Sequence, residues 1–240
     1  MSLDGVGLTK HTEDRGINIK DSPTWSPDGK RIAFAALFDV YQIHVFEVEA
    51  SLSQPFDVLG DLVYPLTNRV WDSTGPAWSP DGTTIAFTTY DLFPSQQVHL
   101  LNLSDGSKRQ VTTGPVPAID PSWSPDGSRI AFVSNGEGDF EIYVVTIDGA
   151  VTERLTEDPA FDDWPSWSPD GQFIVFSSAR SGSLELYVMR SDGTDVRSLD
   201  AGAGSNFDPA WSPDGLQIVF VSDRDGNPEI YRMNAPEFLP

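Results

Sequence analysis

The chain contains no cysteine, which excludes disulfide bonds and thiolate-bound metals. It has only four lysines (Lys10, Lys20, Lys30 and Lys108) among 15 basic residues, set against 36 acidic ones. The net charge of −21 argues against nucleic acid or an anionic membrane surface as partner, because both attract Lys and Arg. It permits cationic partners or metal ions and suits a protein that stays soluble in salt. No apolar run approaches the ~18 residues that a membrane-spanning helix needs. The opening Met1-Ser2-Leu3-Asp4 lacks the basic and apolar regions of a signal peptide. Catalytic signatures are missing too: there is no G-x-S-x-G turn, no H-E-x-x-H and no phosphate-cradling glycine loop.

What the chain does contain is a repeat. WSPDG occurs five times, at Trp25–Gly29, Trp78–Gly82, Trp123–Gly127, Trp167–Gly171 and Trp211–Gly215, with spacings of 53, 45, 44 and 44 residues. A period of this size in an all-β setting indicates propeller blades. Ser-Pro-Asp-Gly suits a tight turn, since Pro presets φ, Asp fits the third position and Gly accepts positive φ at the fourth. Each pentapeptide therefore ends one strand and begins the next. Its Trp is read as a wedge between neighbouring units, and its Asp (Asp28, Asp81, Asp126, Asp170, Asp214) as a turn former before a ligand.

Four strands follow from the pattern of each unit. A short one ends in the Trp. The next reads RIAFVS at Arg129–Ser134, with counterparts at Arg31, Thr84, Phe173 and Gln217. Its Ile and Phe lie two apart and share the face that builds the core. The third reads EIYVVTI from Glu141, and the fourth ends in a Leu-Thr pair such as Leu155-Thr156. His44 and His99 occupy the third-strand position held elsewhere by Tyr143, Tyr187 and Tyr231, so packing is the reading for both. The segment Ser222–Glu229, SDRDGNPE, has spaced Asp residues like part of a calcium loop. It lacks the full ligand pattern, so a hairpin turn is preferred and calcium remains the weaker reading. No other cofactor is indicated.

The fifth unit stops after its third strand, and Gly5–Thr9 reads as a fourth strand with nothing before it. The expected architecture is a single domain over residues 1–240: a five-bladed β-propeller of four-stranded antiparallel blades. The N-terminal strand is expected to close it by pairing with the last blade, which satisfies an otherwise open edge. Two insertions, Ala50–Asp61 and the long Lys10–Ser22 connection, fall in loops on opposite faces.

The candidate site lies in the loops that feed the first strand of each unit, because these rim the central channel. Trp71 and Trp164, the two tryptophans outside the repeat, fall there with Phe161 and Phe207, with Asp72, Asp120, Asp162, Asp163 and Asp208, and with Arg15 and Arg69. An aromatic and acidic rim suits a cation, a basic peptide or carbohydrate hydroxyls. Packing of Trp164 and capping of turns by the Asp residues is the competing account.

The pattern P-x-WSPDG, IAF-x-S, EIYVM and a terminal LT, best displayed at Phe207–Asn234, resembles the repeat of the TolB-type propellers. The resemblance covers essentially the whole chain. It implies a non-catalytic recognition or scaffold module, binding a protein, peptide or sugar on the channel-mouth face. It also implies a bacterial periplasmic or extracellular location. A monomer is expected. The family's periplasmic members bind envelope proteins but carry six blades and a further α/β domain, neither of which is read here. Peptidase relatives keep their catalytic residues in a separate domain, so an accessory propeller of a larger peptidase-type protein is an alternative. A second alternative is an enzyme like the five-bladed glycoside hydrolases, using two of Asp120, Asp163 and Asp208 at the ~5–9.5 Å separation such chemistry needs. If Gly5–Thr9 closes the ring, deletion of residues 1–10 lowers the melting temperature sharply; an unchanged value would refute the closure.

Overall fold

The computed structural model describes residues 19–37, 40–48, 63–67, 72–90, 95–136 and 138–236. Blade 1 comprises β1 (Ile19–Trp25), β2 (Arg31–Leu37), β3 (Tyr41–Glu47) and β4 (Val63–Pro65). Blade 2 comprises β5 (Ser73–Trp78), β6 (Thr84–Thr89), β7 (Gln97–Asn102) and β8 (Lys108–Gln110). Blade 3 holds β9 (Ala118–Trp123), β10 (Arg129–Ser134), β11 (Glu141–Thr146) and β12 (Thr152–Arg154). Blade 4 holds β13 (Asp162–Trp167), β14 (Phe173–Ser178), β15 (Glu185–Arg190) and β16 (Arg197–Ser198). Blade 5 holds β17 (Asn206–Trp211), β18 (Gln217–Ser222) and β19 (Glu229–Asn234). Strands run in sequence order within each antiparallel sheet. The first strands pack in succession, β1 on β5, β5 on β9, β9 on β13 and β13 on β17, giving the five-bladed β-propeller. The closing strand expected at Gly5–Thr9 lies outside the described residues, as do most of both insertions.

The WSPDG turns repeat one hydrogen-bond network five times. In every copy the Gly N–H donates to the Ser carbonyl at 2.9 Å, and the Gly φ lies between 69 and 73°. In blade 3 the Ser124 hydroxyl donates to Asp126 Oδ1 at 2.6 Å and accepts from the Arg129 N–H at 2.9 Å. Asp126 Oδ1 also accepts the Ser128 N–H at 3.0 Å. The five Asp residues are thus turn formers, as their place in the pentapeptide indicates. These bonds, led by the one from Ser124, hold the Asp126 carboxyl down at about 2.

Burial is organised at the seams between blades. In blades 2 to 5 the second-strand Ile-x-Phe pair faces the preceding blade. Ile85 and Phe87 lie with Trp78 against Ala33, Ala35, Ile43 and Val45, and Ile174 and Phe176 lie with Trp167 against Ala131, Val133, Ile142 and Val144. The indole N–H of Trp78 donates to the Thr24 carbonyl at 3.2 Å, and that of Trp123 to the Ala77 carbonyl at 3.1 Å, both across a seam. Within each blade the second-strand Phe pairs directly with a third-strand aromatic ring. Phe34 stacks with His44 and Phe132 with Tyr143, each at 5.7 Å between ring centres. The two buried histidines are therefore packing residues. Trp25 of blade 1 is 56% and Ile230 of blade 5 is 81% exposed.

The turn glycines interlock with the turn before them. A Cβ on Gly171 would stand 3.2 Å from Pro125 Cγ, whereas one on Gly29 meets nothing within 4 Å. Gly29→Ala is expected to cost roughly 1–2 kcal/mol for its left-handed φ alone. Gly171→Ala is expected to cost roughly 2–4 kcal/mol because overpacking against Pro125 is added. Urea denaturation of both variants checks the difference.

Candidate functional site

Three residues before each repeat Trp, and directly before a proline, the first strand of every blade takes a left-handed conformation: Ser22, Gly75, Asp120, Trp164 and Asp208 have φ of 51–57°. Only one of the five is glycine. The residue before a proline is ordinarily driven to extended φ, and a bulky residue at positive φ is costly. The cause is a β-bulge. Between Asp163 and Ser166, and at the equivalent place in all five blades, the inner strand carries one residue more than its partner. The bulge turns consecutive residues out of the sheet just where the inner strands begin at the channel mouth.

The bulges bring four carboxylates into one electrostatic group. Asp21 and Asp163 stand four residues before their Trp, and Asp120 and Asp208 three before theirs. Burial pushes Asp163 up to about 7, and the charge of Asp120 adds to the effect. Burial likewise pushes Asp120 up to about 6, reinforced by Asp208 and Asp21. Asp208 retains water contact, yet burial of its inner side and the Asp21 charge still raise it. Beside these groups, Trp164 and Phe207 form a tilted aromatic pair at 5.6 Å. Asp163 Oδ1 accepts the Trp164 N–H at 2.8 Å, which fixes the turn that presents the indole.

Of the residues proposed from sequence, the structure therefore groups Asp120, Asp163 and Asp208 and pairs Trp164 with Phe207. Asp162 and Asp72 are each held by another partner. Asp162 is fully buried and ion-paired to Arg180 at 2.7 Å, because one step along a strand reverses the face. Asp72 accepts the Tyr41 N–H at 2.7 Å and ties the approach to β5 onto β3. Trp71, Arg15 and Arg69 lie outside the described residues. Phe161 precedes the strand and is exposed. In the Ser222–Glu229 hairpin, Asp223 accepts the Ser205 N–H at 2.6 Å and Asp225 accepts the Tyr231 hydroxyl. Among the described residues no three metal-binding side chains converge.

Sequence reasoning missed Asp21. The signal was its offset from the repeat Trp, which it shares with Asp163. It also missed the polar pins that hold the mouth loops. Buried Glu141 accepts from Arg154 Nη2 at 2.7 Å, from the Thr156 hydroxyl at 2.6 Å and from the Asp158 N–H at 2.8 Å. Gln97 performs the same task by donating to the Val116 carbonyl at 2.8 Å. The mouth loops of blades 2 and 3 are thus anchored from the start of the third strand.

A carboxyl whose folded pKa exceeds its unfolded value favours the folded state when protonated. That contribution is complete below about pH 4 and is lost as pH rises through about 7 for Asp163. Asp163→Asn is therefore expected to gain stability over the native chain by roughly 1–3 kcal/mol at pH 8, after discounting for solvent contact, and to show little gain at pH 4. Denaturant midpoints at both values check this.

Comparison with known proteins agrees with the architecture. Residues 53–199 and 165–237 match the family described as PD40, TolB beta propeller domain. A protein TolB homolog of Chlorobaculum tepidum is 34% identical over 101 residues, which is 42% of this chain and 23% of the relative. The structure of putative TolB from Agrobacterium tumefaciens superposes with a TM-score of 0.76 at 26% identity, covering 90% of this chain and 77% of that one. TolB from Acinetobacter baumannii superposes with a TM-score of 0.73 at 21% identity, covering 90% and 52%. The match thus spans under a quarter of the curated relative and about half of the Acinetobacter protein.

Proposed function

This chain belongs to the TolB β-propeller family, and from that premise we propose that it is a non-catalytic recognition module whose channel mouth binds a basic segment of a partner protein. The observation that carries this reading is the joining of an aromatic pair, Trp164 with Phe207, to the carboxylates of Asp163, Asp120 and Asp208. An aromatic face and nearby carboxylates both attract Lys and Arg side chains, and partial removal from water strengthens the attraction. The net charge of −21 steers a cationic segment toward the protein. The family relation supports a place in the bacterial envelope or outside the cell.

The raised carboxyls favour one competing reading, a glycoside hydrolase-like enzyme in which Asp163 donates a proton. It requires a second carboxylate on the opposite side of a bound sugar. An oligosaccharide panel hydrolysed by the native chain and not by Asp163→Asn would establish that reading and overturn the recognition module.

Binding carries its own pH signature. Protonation of Asp163 near pH 7 and Asp120 near pH 6 discharges the mouth, so a basic peptide binds more tightly at pH 8 than at pH 5.5. At 100 times its Kd a ligand raises stability by about 2.7 kcal/mol, or roughly 5–11 °C for a chain of this size. A Lys-rich peptide is expected to produce such a shift at pH 8, a smaller one at pH 5.5, and none with Trp164→Ala. A shift independent of pH and of Trp164 would overturn the assignment.

A further inference from the structure

From blade 1 through blade 5, each seam between consecutive blades presents the indole of the later blade's repeat Trp to the first residue of the earlier blade's second strand. Between blades 1 and 2 that residue is Arg31, whose guanidinium carbon stands 4.6 Å from the Trp78 ring centre. Between blades 3 and 4 it is Arg129, 4.8 Å from the Trp167 ring centre. Both indoles are buried. Between blades 4 and 5 the position holds Phe173, which packs in one cluster with Trp211. Between blades 2 and 3 it holds Thr84, and Trp123 is only half-buried. Threonine is too short to lie across an indole. The seam opens instead on the turn face, opposite the channel mouth, as a cleft of about 530 Å³ lined by Thr84, Trp123, Asp81, Asp126 and Arg109 among others. The corresponding cleft between blades 4 and 5 measures about 90 Å³.

We propose that the cleft between blades 2 and 3 receives an arginine side chain of a partner polypeptide, with its guanidinium on Trp123 as Arg31 lies on Trp78 and Arg129 on Trp167. The molecule itself supplies the template, because the same indole position is covered by a guanidinium in two other seams. Arg31 shows a further contact available there: its Nη2 donates to the Gly82 carbonyl at 3.3 Å. The equivalent residue in blade 3, Gly127, lines the cleft. The Trp123 indole is held in place by its bond to the Ala77 carbonyl. Asp81 and Asp126 stay ionised, since hydrogen bonds led by those from Ser79 and Ser124 keep both carboxyls low. The lining cation, Arg109, is engaged by the Ile147 carbonyl at 2.7 Å. A planar guanidinium stacks on an indole and donates in a fork to carbonyl and carboxylate together, which a lysine ammonium does not match. The cleft exceeds one arginine side chain in volume, so neighbouring residues of the partner enter with it.

The test uses the full chain, ¹⁵N-labelled, with the Trp123 indole N–H resonance as reporter. The probes are acetyl-Ala-Arg-Ala-amide and its neutral citrulline analogue. The arginine peptide is expected to shift the Trp123 resonance saturably and the citrulline peptide to leave it in place. Thr84→Arg supplies the missing side chain from within, so it is expected to abolish the response and raise the melting temperature. Thr84→Phe, which copies blade 4, is a second filling variant should Thr84→Arg fail to fold. Trp164→Ala, at the channel mouth, leaves the response unchanged. Equal shifts with citrulline, no shift with arginine, a response that survives filling of the cleft, or one lost in Trp164→Ala would each overturn the proposal.

Discussion

Burial at the seams is the constraint on which the rest of this molecule depends. A four-stranded sheet with two apolar faces cannot bury either alone, and a ring of blades buries both. The I-x-F pattern supplies the asymmetry this requires. Ile85 and Phe87 meet the small Ala33 and Ala35 of the preceding blade, while the intervening Ala86 faces Ile130 and Phe132 of the next. Trp78 and Trp167 fill their seams near the turns. The WSPDG glycine belongs to the same packing, since it lets one turn approach the proline of the turn before it.

The polar chemistry sits where seam packing leaves room for it. A bulge in each inner strand releases two residues from the sheet; in blades 3 and 5 one of them is an aspartate, and in blades 1 and 4 an aspartate directly precedes them. The positive φ of Trp164 and the elevated carboxyls of Asp120 and Asp163 are costs carried by the surrounding sheets. Glu141 and Gln97 show how the mouth is held against those costs, because their buried side chains anchor the loops that precede the bulged strands. The turn face differs in kind. There the carboxylates are stabilised as anions by serine hydroxyls and backbone N–H groups, and the variable residue is the one laid over each indole.

Much of this was legible in the residues. RIAFVS at Arg129–Ser134 is β10, and the strand read from Glu141 is β11, one residue shorter. The fourth strand, read as ending at Leu155-Thr156, stops at Arg154, and Thr156 turns inward to accept the Ile142 N–H and to bond Glu141. The candidate site was legible as a composition of loops but not as a geometry. Asp162 and Asp163 are adjacent and chemically identical, yet one is sealed against Arg180 and the other opens to the mouth. Alternation along β13 distinguishes them, since both pair in regular register, with Ser178 and Ser177, before the bulge begins; the residues do not announce which of the two faces inward.

The sequence by itself determined the repeat, the turn chemistry, the strand order and the ring of five blades. Each of these follows from local rules: turn propensity, alternation along a strand and a fixed period. The tertiary structure alone decided which side chains meet. The gathering of Asp21 with Asp120 and Asp208 joins residues from three different blades, and the opening beside Trp123 depends on a threonine one blade away. Such encounters arise from the closure of strands around an axis, and no local pattern encodes a distance across it.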